Sequence, residues 1–301
     1  MRTASRTAEL VALYRAIESS RSAATRLFVD PLAPAFLGPR FRWALRAYRI
    51  PAIGAAVPWS IIDGHWSGPR GTVAVRTRYI DDVLGAALRR GVEQVVILGA
   101  GFDCRAYRIP DIARTRVFEV DHPATQAKKK AVIVRRLSAI PPHVTFVPAD
   151  FTTDSLEGVM PRSGYRRDAV TFYICEGVTH YLSLEAVDTI FRHVVQNARA
   201  GSQIVFTYIH RGLIDGSVSF AGGDDTLSTV RRVGEPYTFG FDPAELSQHL
   251  SALGLDLIED VGASEYRKRF LEPRGRAGEL LADFQRAAVA QSRSSACPPA
   301  R

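Results

Sequence analysis

The stretch Val92–Gly101, VEQVVILGAG, decides how the rest of the chain is read. Its apolar run does not alternate with polar residues, which is the pattern of a strand buried on both faces of a parallel sheet. It ends in Gly99-Ala100-Gly101, and glycines there permit a tight turn and a close approach of backbone to a ligand. Just before it, TVAVRTRYIDDVLGAALRRG (72–91) has the period of an amphipathic helix and stops at Gly91. Beyond it, strands are predicted at RVFEVD (116–121), HVTFVPAD (143–150), DAVTFYICEG (168–177) and SQIVFTYI (202–209). A lysine-bearing helix follows the first of these, and SLEAVDTIFRHVVQNA (183–198) reads as a helix capped by Ser183. Strands alternating with helices argue an α/β fold with a parallel sheet covered on both faces.

Outward from this core the signals weaken. The first 40 residues read as helix, with Leu10, Leu13, Tyr14 and Ile17 at helical spacing, broken at Pro31, Pro34 and Gly38. The Gly/Pro-spotted stretch up to residue 71 is too apolar for a loose linker, so residues 1–71 are read as a cap packed on a main domain of residues 72–290. Residues 210–240 form a polar, glycine-rich insertion. DPAELSQHLSALG is then a helix stopped by Gly254, LDLIEDVGA a last strand candidate, and residues 291–301 a disordered tail.

The totals narrow the class. With 301 residues, 46% hydrophobic and 23% charged, the composition is that of an ordinary globular protein. Three scattered cysteines, Cys104, Cys175 and Cys297, show neither a disulfide framework nor the paired spacing of a metal site, so no metal is expected. No apolar stretch is long enough to span a bilayer and the N-terminus lacks a signal peptide's apolar core, which predicts a cytoplasmic protein without a membrane partner. The net charge of +8 favours anionic partners, yet no nucleic-acid motif accompanies it. The run Lys128-Lys129-Lys130 with Arg135-Arg136 reads as a solvated helix face.

In an open α/β sheet, ligands sit beyond the carboxyl ends of the strands. Asp121 ends the second strand, where a carboxylate can accept both hydroxyls of a ribose. Asp150, with Phe151 beside it, ends the third and could take an adenine amino group while the ring packs on the base. Glu176 ends the fourth. Singly, each acid is as well explained as a helix cap. Together, after a glycine turn, they point to a nucleoside-shaped ligand. A nicotinamide dehydrogenase would carry a third glycine where this chain has Cys104, and an acidic lining suits a cationic ligand better than a diphosphate.

The chain resembles the leucine carboxyl methyltransferase family, and within it the bacterial branch of S-adenosylmethionine-dependent O-methyltransferases linked to polyketide and other secondary metabolism. The resemblance rests on RLFVDPLAPAFL (26–37), VAVRTRYIDDVL (73–84), VVILGAGFDCRAYR (95–108), VFEVDHPATQAKK (117–129), PADF (148–151), ICEGVTHYLS (174–183) and GEPYTFGFDPAEL (234–246). It implies a class I methyltransferase, Rossmann-like, with a seven-stranded sheet whose last strand is antiparallel and a helical N-terminal cap. It also implies that S-adenosylmethionine is held by Gly99, Ala100, Gly101, Asp121, Asp150, Phe151 and Glu176, with Arg76 or Arg78 contributing. The acceptor is expected to be a small, anionic molecule methylated on a carboxylate or a hydroxyl. His180 is the candidate base, needed only for a hydroxyl, and Arg105, Tyr107 and Tyr208 are candidates for orienting the acceptor. A nicotinamide-dependent oxidoreductase and a non-catalytic, regulatory S-adenosylmethionine-binding protein are the competing readings.

Overall fold

The computed structural model describes residues 6–50, 68–151 and 153–293. Seven strands form one sheet: β1 (Gln94–Leu98), β2 (Arg116–Asp121), β3 (Val144–Pro148), β4 (Thr171–Cys175), β5 (Gln203–Ile209), β6 (Leu255–Val261) and β7 (Gln285–Ser292). Their order is β3-β2-β1-β4-β5-β7-β6. β1 to β5 pair in parallel, while β7 runs antiparallel to both β5 and β6. The fold is the expected one. The residues themselves point to six strands, and the resemblance alone implies the seventh. β7 also runs to Ser292, two residues into the stretch expected to be a disordered tail; residues 294–301 lie outside the described residues.

The longer helices are α1 (Arg6–Ser19), α2 (Pro39–Tyr48), α3 (Gly68–Arg89), α4 (Pro123–Leu137), α5 (Leu184–Gln196), α6 (Gly223–Arg232) and α7 (Pro243–Ala252). Their ends follow local chemistry: Ser183 and Asp242 accept hydrogen bonds from the first turns of α5 and α7, and Gly91 and Gly254 take left-handed φ just past α3 and α7. α3 starts at Gly68, four residues before the expected boundary at Thr72, and the rest of the stretch expected to complete the cap, residues 51–67, lies outside the described residues. The 210–240 segment is not irregular: it holds a helical turn at Arg211–Asp215 as well as α6.

Apolar clusters cover both faces of the sheet, one centred on Val95, Ile97 and Val205, the other on Val96, Leu98 and Phe206. A third cluster joins α1 to the main domain through Leu13, Ile17, Phe36 and Phe102, the last two stacked at 4.8 Å. Polar contacts fix the same junction. Arg276 makes a two-pronged bond to Glu18 (2.7 and 2.9 Å), and Arg15 reaches Asp30 and the carbonyl of Phe102.

Candidate functional site

The sheet register sets the site. Leu98, the last residue of β1, pairs with Val120 on one side and Cys175 on the other. Gly99, Asp121 and Glu176 each come one residue later, so the turn is flanked by a carboxylate on both sides. This is where β2 and β3 lie to one side of β1 and β4 to the other, the reversal of strand order at which open α/β sheets bind ligands.

Gly99 has φ +62° and Gly101 φ +42°, and a Cβ on Gly99 would collide with Val178 Cγ2. Gly99→Ala is therefore expected to cost about 1–2 kcal/mol in backbone strain and roughly 1–3 more through overpacking. Chemical unfolding checks it; a loss under about 0.5 kcal/mol, the level of an ordinary surface change, would show that the turn tolerates a side chain.

Asp121 ties the turn to β2. Its Oδ2 accepts from the amide of Gly101 and its Oδ1 from that of His122 at 2.6 Å. A carboxylate offers about four acceptor positions, so capacity for two ligand hydroxyls remains. Burial raises its pKa, against the pull of these two amides. Beneath the turn, Lys129 donates to the Ala100 carbonyl (3.3 Å) and lies 2.8 Å from Glu119 Oε2, where burial pushes the Glu119 carboxyl up to about 7. Lys129 is thus fully buried, contrary to the solvated face expected for the whole lysine run. Lys128 and Lys130 sit instead over the rings of Phe102 and Phe146. Asp150 follows β3 on the same side, 3.8 Å from His122, and Phe151 packs against the core beside it.

Glu176 is held by two arginines, accepting from Arg76 Nε at 2.8 Å and Arg105 Nη1 at 2.6 Å. Burial alone would raise its pKa, but the charges of Arg105 and Arg76 outweigh that and keep it below the usual value. The two candidate arginines of α3 separate cleanly. Two residues on a helix differ by about 200° in direction, so only one can face the sheet. Arg76 does, reaching Glu176 and Gln285. Arg78 points away, to Asp82 one turn on and the carbonyl of Leu27.

The three residues expected to orient an acceptor are engaged within the protein. Arg105 is 2% exposed, with its donors committed to Asp81, Asp103, Glu176 and the Thr77 carbonyl. It holds Glu176 in place and has no free face for a ligand. Arg108 completes the network through Asp81 (2.7 and 2.9 Å). Tyr107 packs in the interior beside Glu119 and Lys129. The Tyr208 hydroxyl is bonded to Asp260 and Arg286. Sequence reasoning missed Asp81, Asp103, Lys129, Gln285 and Tyr266 as parts of the site's surroundings. The first three lie within motifs already singled out, but nothing in their spacing reveals which charged group they meet.

His180 follows β4 in a short helical turn and is 5% exposed. Its ring lies 4.3 Å from that of Tyr181 and 4.6 Å from that of Tyr237, and its carbonyl accepts from the amide of Thr238 at 2.8 Å. The segment 234–241 is thereby fastened over the β4 end. Burial, then the charge of Arg76, push the imidazole down to about 3. Between the unfolded value of 6.5 and about 3, the unfolded chain holds a proton on this ring that the folded protein lacks. The stability linked to the neutral ring is present above that range and lost as pH falls through it, by at most about 1.4 kcal/mol per pH unit. Urea unfolding at about pH 7 and about pH 5 should therefore show His180→Phe losing less stability over that interval than the parent; equal losses would contradict the buried neutral ring.

The N-terminus of α1 lies across this region. Ala8 Cβ would stand 3.6 Å from a Cβ on Gly101, Thr7 donates to Glu235, and Glu9 accepts from the Gly38 amide at 2.6 Å. Among the described residues no helix is long and apolar enough to cross a membrane, and no group of three His, Cys, Asp or Glu is placed to hold a metal ion.

The sequence model of the leucine carboxyl methyltransferase family matches residues 8–195, a stretch that includes the glycine turn, Asp121, the Arg105 network and Glu176. The chain belongs to that family. A relative from Parafrankia sp. (strain EAN1pec), named as an S-adenosyl-L-methionine-dependent methyltransferase, is 34% identical over 87% of this chain and 81% of its own length. A similarly named protein of Bacillus subtilis (strain 168) is 31% identical over 67% of each chain. In fold, the chain is similar to a solved structure from Thermobifida fusca YX described as a methyltransferase, with TM-score 0.55 and 15% identity over 93% of this chain and 94% of that one. As a member of this family, the chain is a methyltransferase.

Proposed function

We propose that this protein, an S-adenosylmethionine-dependent methyltransferase, methylates oxygen, and that its acceptor is a carboxylate on a small metabolite. The cofactor fits the residues present. Asp121 keeps acceptor capacity for ribose hydroxyls, Gly99 and Gly101 supply the positive φ values that the turn beside it requires, and Glu176 offers an anion to a cationic amine. Asp150 and Phe151 would meet the adenine, and Arg76, rather than Arg78, faces this end of the sheet.

The observation that carries the choice of acceptor is the burial of His180 beside Arg76. The imidazole expected to act as a base for a hydroxyl is a poor proton acceptor when burial and a neighbouring cation both oppose its charge. A carboxylic acid needs no base, being ionised at neutral pH. Held at the glycine turn and Asp121, the cofactor would supply an electrophilic methyl group, which a carboxylate oxygen would accept with the electron pair left on sulfur and no proton to be moved. The chain's own residues then have to align the acceptor and exclude water. In this reading residues 1–71 cap a methyltransferase domain of residues 72–290, with the N-terminus of α1 over the glycine turn and the segment around Tyr237 over the acceptor side. A cytoplasmic role in secondary metabolism accords with it.

The test is methyl transfer from labelled S-adenosylmethionine to panels of carboxylic acids and phenols, with the products treated with mild base. Methyl esters release methanol and aryl ethers do not. Label in a base-labile product supports the reading; label only in stable ethers overturns it. Cofactor binding without turnover on any acceptor would favour the non-catalytic alternative.

A further inference from the structure

The basic helix α4 ends in Arg135 and Arg136, which the cofactor site does not use. Cations in a last turn complement the helix dipole, and that alone accounts for these two. It does not account for a third from another part of the chain. Arg42 of α2 meets them: with Pro34 and Ala35, the three arginines line a cavity of about 240 Å³ between the N-terminal segment and α4. Arg42 is fixed there by its Nε, which donates to the Leu37 carbonyl at 2.6 Å. Among the described residues, none of the three guanidiniums forms an ion pair.

The sequence explains why no carboxylate is at hand. Residues 31–62 and 122–149 hold neither Asp nor Glu, and these two stretches supply the cavity's walls. Elsewhere the chain neutralises its enclosed arginines: Arg15, Arg76, Arg105 and Arg276 all meet acids. Three like charges gathered without a counter-charge repel one another across the seam between the N-terminal segment and the main domain. An anion seated among them removes that repulsion and bridges the two parts.

Number and shape select the anion. A guanidinium presents its N–H groups as a planar fork that grips oxygens in pairs. The two oxygens of a carboxylate are filled by fewer forks than meet here, whereas a phosphate ester turns three oxygens outward, one toward each arginine. The cavity is smaller than a pocket for a drug-sized ligand, about 300 Å³ or more, and suits a single anionic group. At about 1.5 Å per residue, Arg135 lies roughly 18 Å along α4 from the end beside Asp121, away from the methyl-transfer crevice. We propose that this cavity is a second, non-catalytic site that binds a phosphate group, as the free ion or as the end of a larger molecule, and that its occupancy clamps the N-terminal segment onto α4.

The experiment titrates the full-length protein with inorganic phosphate by isothermal calorimetry, ionic strength being held constant with sodium chloride. The parent is compared with Arg135→Gln and with the double variant Arg135→Gln/Arg136→Gln. Both side chains are exposed and have no partner among the described residues, so in chloride alone the variants should melt no lower than the parent. Phosphate should bind the parent saturably at one site. Arg135→Gln should weaken it by about 3–10-fold, the scale of one charged hydrogen bond reduced by solvent exposure, and the double variant should abolish it. Phosphate at about ten times its dissociation constant should raise the parent's melting midpoint by about 3–6 °C. Phosphate also stabilises proteins generally, by exclusion from their surface. An equal rise in the double variant therefore overturns the proposal, as does the lack of saturable binding in the parent. Acetate bound as tightly as phosphate overturns it too, because the arginines would then read charge alone. Glycerol phosphate separates the two sources: binding at least as tight as the free ion's identifies the end of a larger molecule, and rejection identifies the free ion.

Discussion

Replacing Arg105 by leucine is expected to lower the unfolding midpoint by about 6–20 °C. The estimate follows from removing one partner of a buried charge network, which costs roughly 3–5 kcal/mol, and from a midpoint shift of about 2–4 °C per kcal/mol for a large domain. Arg105 is nearly inaccessible and touches three carboxylates: Asp81, Asp103 and Glu176. Leucine fills most of the volume but leaves these acids facing one another, with Arg76 and Arg108 still paired to Glu176 and Asp81 and the charges of Lys129 and Arg15 acting on Asp103. Arg105→Lys should recover part of the loss, since an ammonium keeps the charge without the forked geometry that reaches several acids at once. Calorimetric melting of the three proteins checks this. A leucine variant within about 2 °C of the parent would mean that the network contributes specificity rather than stability.

Asp121→Ala should weaken S-adenosylmethionine binding by about 100-fold or more with the melting curve still cooperative. Two hydrogen bonds to a charged acceptor account for roughly 3 kcal/mol or more, and about 1.4 kcal/mol corresponds to tenfold in affinity. The variant also loses the acceptor for the amides of Gly101 and His122. Asp121→Asn separates the two effects, because an amide oxygen still accepts from one of those amides while the negative charge is gone. Isothermal calorimetry with S-adenosylmethionine measures both. Unchanged affinity in the alanine variant would remove Asp121 from the cofactor site.

Much of the sheet could be read from the chain because β1, β4 and β5 are largely apolar runs, and β2 departs from that only at its ends and at Glu119. β7 escaped that reading for a physical reason. Its sequence, QRAAVAQS, is rich in alanine, which has low β propensity, and its identity as a strand comes from the two neighbours that flank it. The positions of Gly99, Asp121 and Glu176 were legible because strand register fixes strand ends. The directions of long side chains were not. The place of Arg105 after the glycine turn suggests a ligand-facing arginine, but two of the three acids that consume it come from α3 and from the residue after β4, distant in sequence. Lys129 shows the same limit: one residue in a basic run turns inward because the helix places it over Glu119, whereas its neighbours reach the surface.

The placement of β7 has a consequence for how the protein is made. It lies between β5 and β6, so β6 has no strand partner until residues 285–292 have been synthesised. During translation the parallel half of the sheet can assemble around β1, while β6 and one edge of β5 wait with unpaired backbone. A nascent chain paused before Gln285 would leave the facing edges of β5 and β6 open, and release of the last strand would cover both in a single event.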